Sequence, residues 1–361
     1  MNNQKQLIIL IVITASLTSF LAGYLLTQPA KNNSAIIEQQ RGALIDRFNG
    51  VVGSATSTPL PPGLLQASSD STLAPTNASD ADAVVYYHPN TGIVSKLDLE
   101  TRTNTIISTA SLPHLIRVIW SPNKNRVITI SRTSNRFNYA YFEYTTHAHG
   151  NLGTTIKDVV FSPDSKRIAL VRNGGGDSAI ETADFDGKNP KTIFKTRLNN
   201  IKLFWLSDHT LAFTADDTDA GTQSLYTLTE TGDLTQLVGG VIGLVVRWSP
   251  DGSKLLYSDQ ESGGTVLYQF DVASKQSKPL PIQTTATNCA WSLDQKKILC
   301  AVQNQGETSI VQILTANNSS SVLFSNLIIT PQDVFLSHLE NFLVITSATD
   351  QSLWAVKLDA R

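Results

Sequence analysis

His147 and His149 lie two residues apart, so on an extended strand both imidazoles would face the same side and could approach one divalent metal. A zinc site takes three or four protein ligands and no third stands at a fitting spacing, so an exposed turn is the favoured reading and no metal is expected. In the stretch TADDTDAGT, Asp216, Asp217 and Asp219 resemble a fragment of a calcium loop. The remaining alternating ligands and the closing Glu are absent, which favours a solvated loop. The chain carries no G-x-S-x-G nucleophile elbow, no H-E-x-x-H, no C-x-x-C and no phosphate-binding glycine loop. Covalent hydrolysis, zinc proteolysis, dithiol exchange and nucleotide chemistry therefore lack their usual residues; no cofactor is expected, and a non-catalytic role is favoured.

The elements that must carry these residues are short and repeated. WSPDGSKLLYS (248–258) has counterparts in FSPDSKRIALV (161–171), WSPNKNRVITI (120–130) and WSLDQKKILCA (291–301), with looser copies at LSDHTLAFT from Leu206 and LSHLENFLVIT from Leu336. Before each Ser lies a brief apolar run such as LIRVIW or IKDVVF, too short for a stable helix and rich in β-branched residues, which predicts a strand. Ser-Pro-Asp-Gly then supplies a turn, because Pro presets φ, Asp can accept from the backbone ahead, and Gly tolerates a left-handed conformation. The return strand follows. Asp164, Asp251 and Asp294 thus read as turn formers rather than catalytic acids.

Ser121, Ser162, Ser207, Ser249, Ser292 and Ser337 are separated by 41, 45, 42, 43 and 45 residues. A period of this length, with two further strands between markers, predicts an all-β propeller of four-stranded blades. The W/F-S-P-D-G-x-K pattern resembles the WD-type repeat of TolB-like proteins and of the propeller domains attached to oligopeptidases, over roughly residues 83–361. That resemblance implies the fold and an extracytoplasmic setting, and leaves function open. Residues 84–108 look like three strands of a blade whose first strand is missing or lies upstream, and the C-terminal segment lacks a fourth strand. Seven blades, two of them incomplete, are favoured over six.

Propeller geometry would gather the loops after each second strand and each fourth strand on one rim. That rim collects Arg132, Asn135, Arg136, Arg172, Asp177, Asp216, Asp217, Asp219, Asp259 and Glu261. Mixed charge on glycine-rich loops suits recognition of a protein or glycan more than transformation of a small molecule. If Trp291 pairs with Ile298 across its hairpin, Cys289 faces Cys300. A disulfide is then possible outside the cytoplasm; buried free thiols are favoured, because Val118, Val159 and Val246 occupy the place of Cys289 in other copies.

Residues 7–26, LIILIVITASLTSFLAGYLL, hold no charge and would span about 30 Å as a helix, the thickness of a bilayer's hydrocarbon core. An uncleaved signal anchor is expected, since a cleaved signal peptide has a shorter apolar region and a small-x-small site. Ala15, Ser19 and Gly23 share one face, so a dimer seam through this helix is possible. Residues 27–52 read as a juxtamembrane segment, partly helical. Residues 53–82, rich in Ser, Thr, Pro and Ala, read as a flexible linker, with the propeller over 83–361. The short flank 1–6 precedes the span.

With 28 basic and 30 acidic residues in 361, net charge −2, the chain has no basic footprint for nucleic acid. The leading reading is a single-pass membrane protein whose extracytoplasmic propeller binds a protein or envelope-polymer partner without catalysis. The alternatives are an enzyme acting on glycans or peptides through rim carboxylates, and a sensor of a small ligand or ion.

Overall fold

The computed structural model describes residues 63–110, 112, 114–133, 136–217 and 221–358. The described strands form seven four-stranded antiparallel sheets. Blade 1 contains β2 (Leu73–Asn77), β3 (Ala83–Tyr87), β4 (Val94–Asp98) and β5 (Asn104–Ser108). Blade 2 contains β6 (Leu115–Trp120), β7 (Arg126–Thr133), β8 (Arg136–Glu143) and β9 (His149–Gly153); blade 3 contains β10 (Ile156–Phe161), β11 (Arg167–Asn173), β12 (Ser178–Asp184) and β13 (Lys191–Thr196). Blade 4 contains β14 (Asn199–Ser207), β15 (Thr210–Asp216), β16 (Gln223–Thr229) and β17 (Leu234–Val241); blade 5 contains β18 (Val245–Trp248), β19 (Lys254–Glu261), β20 (Gly264–Asp271) and β21 (Gln276–Pro279). Blade 6 contains β22 (Cys289–Trp291), β23 (Lys297–Asn304), β24 (Glu307–Leu314) and β25 (Ser320–Leu327). Blade 7 contains β26 (Pro331–Leu336), β27 (Phe342–Ser347) and β28 (Leu353–Lys357), and its fourth strand is β1 (Leu64–Ser68) from the other end of the domain.

The repeated Ser and Asp explain the hairpins atom by atom. The Ser162 hydroxyl accepts from Arg167 N at 2.8 Å and donates to Asp164 Oδ1 at 2.6 Å, and that same oxygen accepts from Lys166 N at 3.1 Å. Ser249 with Asp251, and Ser292 with Asp294, repeat the arrangement. The serines are buried, so each turn amide and hydroxyl finds its partner inside the turn. The Ser162 hydroxyl holds Asp164 below the ordinary carboxylate range, and Gln295 of the next turn does most to depress Asp251. The fourth turn position needs positive φ. Glycine fills it only at Gly252, while Lys124, Ser165, Gln295 and Glu340 adopt it at φ between 57° and 65°.

Each second strand is sandwiched between neighbouring sheets, which buries both of its faces. Ile168, Ala169 and Leu170 in β11, like Leu255 and Leu256 in β19, are fully buried. This is why the apolar runs are continuous where a half-exposed strand would alternate. The seven hydrophobic clusters include several shared between adjacent blades, such as Ile128 and Ile130 of β7 with Ile168 and Leu170 of β11.

Two expectations change. The linker expected over 53–82 ends earlier, because residues from Gly63 onward belong to the propeller. β1 pairs with β28 (Leu64 with Val356, Leu65 with Ala355), closing the ring, and β2 is the innermost strand of blade 1. Neither blade is incomplete. Composition hid these strands because each has one unpaired edge and needs few apolar residues. Pro75 sits in β2, where the inner edge requires no ladder hydrogen bond. The seam is completed by Asp82 of blade 1, whose carboxylate accepts from Leu339 N at 3.0 Å and Asn341 Nδ2 at 2.7 Å in blade 7. The second change concerns the cysteines. Trp291 pairs with Ile298 and Cys289 with Cys300, and the two sulfurs, 2.13 Å apart, form a disulfide where free thiols were favoured. The valines at equivalent positions face Thr129, Leu170 and Tyr257, so only in blade 6 does the register bring two sulfurs together.

The expected span 7–26, the segment 27–52 and the linker up to residue 62 lie outside the described residues. Among the described residues no helix is long and apolar enough to cross a membrane.

Candidate functional site

Inner strands of neighbouring blades bring charged side chains to the ring axis. Arg117 (β6), Asp158 (β10) and Lys202 (β14) occupy comparable places in successive blades. Asp158 is 4% exposed and ties three blades together. It accepts from Arg117 Nη1 at 2.8 Å on one side and from Leu203 N at 2.8 Å on the other. Across the axis Arg247 (β18) plays the converse part. It donates to Ala286 O at 3.1 Å and Thr287 O at 2.9 Å in the connection leading to blade 6, and forms an ion pair with Asp333 of β26.

Beside the Asp158 tie, on the rim of the loops that follow second and fourth strands, a cleft of about 1140 Å³ opens over blades 3 and 4. Its floor includes Arg117, Lys157, Asp158, Ile201 and Lys202, and its sides include Asn173, Gly175, Gly176, Arg197, Asn199 and Asp216. Lys157 and Lys202 are exposed. Among the described residues neither ammonium has a hydrogen-bond or ion-pair partner; Lys202 lies 5.9 Å from the centre of the Phe204 ring.

Five of the rim carboxylates among the described residues are engaged. Asp216 accepts from Gln223 Nε2 at 3.1 Å and from the Asn200 amide. Asp217 accepts from Ser224 Oγ and Thr222 Oγ1, both at 2.7 Å, and these hydroxyls hold it below the usual carboxylate range. Asp177 pairs with Arg197 Nε at 3.0 Å, and Asp259 accepts from Ile242 N at 3.1 Å. Glu261 accepts the Tyr268 hydroxyl at 2.6 Å, and this bond raises the phenol to about 12. Asp217, so held in its ionised form, is a poor proton donor near neutrality.

Of the rim residues singled out from sequence, only Asp216 lines the cleft. Arg172 lies alongside, with Nε 2.9 Å from Glu181 and Nη1 3.4 Å from Thr155 Oγ1. Arg132 and Arg136 stand on the hairpin of blade 2, Arg132 over the Phe137 ring at 5.9 Å. Asn135 and Asp219 lie outside the described residues. His147 sits in the turn before β9 and His149 begins that strand, on the opposite rim, with His149 Nδ1 against His147 O at 3.0 Å. Among the described residues no cluster of His, Cys, Asp and Glu has a metal-binding arrangement. The residues missed were Arg117, Lys157, Asp158 and Lys202. The available signal was a charge inside an apolar inner strand, in LIRVIW, IKDVVF and IKLFW.

No family model and no curated protein matches the chain. Solved structures are similar to it in fold. An oligogalacturonate lyase in complex with manganese aligns with a TM-score of 0.60 and 12% identity, over 83% of this chain and 92% of that one. The propeller domain of the Trilobed protease from Pyrococcus furiosus aligns at 0.54 and 11%, over 81% and 93%. That domain is described as having an open velcro topology, whereas here β1 closes the last blade. TolB from Acinetobacter baumannii aligns at 0.48 and 15%, over 66% and 62%. At such identities the likeness concerns the ring of blades and not its chemistry.

Proposed function

We propose that this protein is a non-catalytic recognition propeller, held outside the cytoplasm by the apolar segment 7–26, that binds a protein or envelope-polymer partner through the rim carrying the cleft. The observation that supports this most is the state of the rim itself. Asp177, Asp216, Asp217, Asp259 and Glu261 are hydrogen-bonded, while a cleft of about 1140 Å³ presents two ammonium groups that have no partner among the described residues. Such a surface suits binding better than proton transfer. Acid–base catalysis by Asp217, in the manner of an enzyme on glycans, is the weaker reading because the Ser224 and Thr222 hydroxyls stabilise its ionised form. The ring also leaves the cleft unobstructed by its own N-terminal strand. Gly63 O accepts from Lys357 N at 3.0 Å, so the chain enters β1 at the rim opposite the cleft.

The reading is tested by affinity capture of the full-length chain from detergent extracts of its native cell, after separating membrane and soluble fractions. Recovery in the membrane fraction, with a stoichiometric partner lost on charge reversal at the rim, is the expected result. A freely soluble chain overturns the anchor, and a partner indifferent to rim reversals overturns the binding surface.

A further inference from the structure

The charges on this rim are unevenly distributed around the ring. Over blades 2 to 4, Arg132, Arg136, Lys157 and Lys202 have no carboxylate partner among the described residues, against Asp216 and Asp217, which are held by amides and hydroxyls alone. Over blades 5 to 7 the rim offers Asp259, Glu261, Glu307 and Asp350, none of them paired with a cation among the described residues. Arg247, at the ring axis beside that sector, is already bound to two carbonyls and Asp333. The ring mouth therefore carries an excess of unpaired bases over blades 2 to 4, its basic half, and of acids over blades 5 to 7, its acidic half, although the whole chain is nearly neutral.

The cleft lies in the basic half. Its lining counts Arg117, Lys157, Arg197 and Lys202 against Asp158 and Asp216. Asp158 is paired with Arg117, and Arg197 with Asp177 outside the lining, while Asp216 keeps its charge on side-chain amides, which leaves Lys157 and Lys202 against one carboxylate. Lys157 and Lys202 each precede one end of the Asp158–Leu203 hydrogen bond in adjacent inner strands, and both line the cleft. Of the large apolar lining residues Val171 and Ile201 are buried and Leu198 is half-buried, so the cleft offers the side-chain anchors of a peptide little beyond Leu198. Asn173 and Asn199 instead offer amides that both donate and accept, as hydroxyl groups require.

We infer that the cleft binds an acidic oligosaccharide, with carboxylates of the sugar chain held by Lys157 and Lys202 and its hydroxyls by the asparagine amides. The acidic sector over blades 5 to 7 repels the same chain and so confines it to blades 2 to 4. This rests on the reading of the rim as a recognition surface and names its ligand.

The test is titration of the full-length chain in detergent with fluorescently labelled alginate oligomers, using neutral dextran and poly-glutamate of similar length as rivals. Alginate is expected to bind, to weaken at least about tenfold between about 0.05 and about 0.5 M NaCl, and to lose most affinity in K157E/K202E. K157Q/K202Q gives an intermediate loss, and both variants keep the wild-type melting temperature. Equal binding of dextran overturns the role of charge. Poly-glutamate binding as tightly as alginate overturns the sugar assignment. Failure of alginate to bind, while the wild-type rim still captures a protein partner, overturns this inference and leaves the recognition surface standing; loss of both overturns the two together.

Discussion

Replacing Asp158 by alanine removes the acceptor that links blades 2, 3 and 4, and the structure sets the size of the effect. Leu203 N lies in a strand whose side chain is 4% exposed, so losing its 2.8 Å partner strands a buried amide, at a cost of about 1–3 kcal/mol. The Arg117 pair adds less. The Arg117 side chain is 47% exposed against 6% for Asp158, so water takes up the guanidinium and the pair contributes up to about 1 kcal/mol. The expected total for D158A is about 1–4 kcal/mol. R117A alone should cost under about 1 kcal/mol, and D158N, which keeps an oxygen for Leu203 N, should fall between them. Urea denaturation followed by tryptophan fluorescence measures this as a shift in midpoint at constant slope. If D158A and R117A are equally costly, or D158A changes stability by less than about 0.5 kcal/mol, the buried tie is not what holds these blades together.

Leu64 is buried in the cluster between blades 6 and 7, so L64A should cost about 2–4 kcal/mol and raise hydrogen exchange first in β28; unchanged protection there would refute closure by β1. Burial pushes the Lys124 amine down to about 8, its Nζ bonded to Thr76 Oγ1 at 2.8 Å. The folded chain then holds fewer protons than the unfolded one between that value and the ordinary 10.5, so this lysine destabilises fully below about pH 8 and the penalty fades as pH rises towards 10.5. K124M should accordingly raise the melting temperature at pH 7 and leave it unchanged near pH 10.5, and a pH-independent difference would contradict the assignment. Thiol titration of the denatured chain should find no free thiol before reduction and two after it, and C289A/C300A should lose about 2–3 kcal/mol; two thiols without reductant would restore the reading from the valines.

Much of this was legible in residues and spacing. The Ser and Asp of the second, fourth and fifth copies form a local device whose bonds run within six residues, so the turn could be read from one copy and the ring from the period. Six copies and a fragment led to seven blades. The tally failed where partners are remote. β1 and β2 carry too few apolar residues to register as strands. Their placement comes from Val356 and Tyr87, the first some 290 residues away in the chain.

The site divides in the same manner. Sequence alone determined the blade, its turn chemistry and the list of charged rim residues, because these follow from neighbours along the chain. Only the folded ring decided that Asp158 meets Arg117 and Leu203, that the cysteines are joined, and that the rim's charges separate into a basic and an acidic half. Electrostatic and disulfide partners act through distance in space, and closing the ring is what converts a mixed string of charges into two opposed sectors.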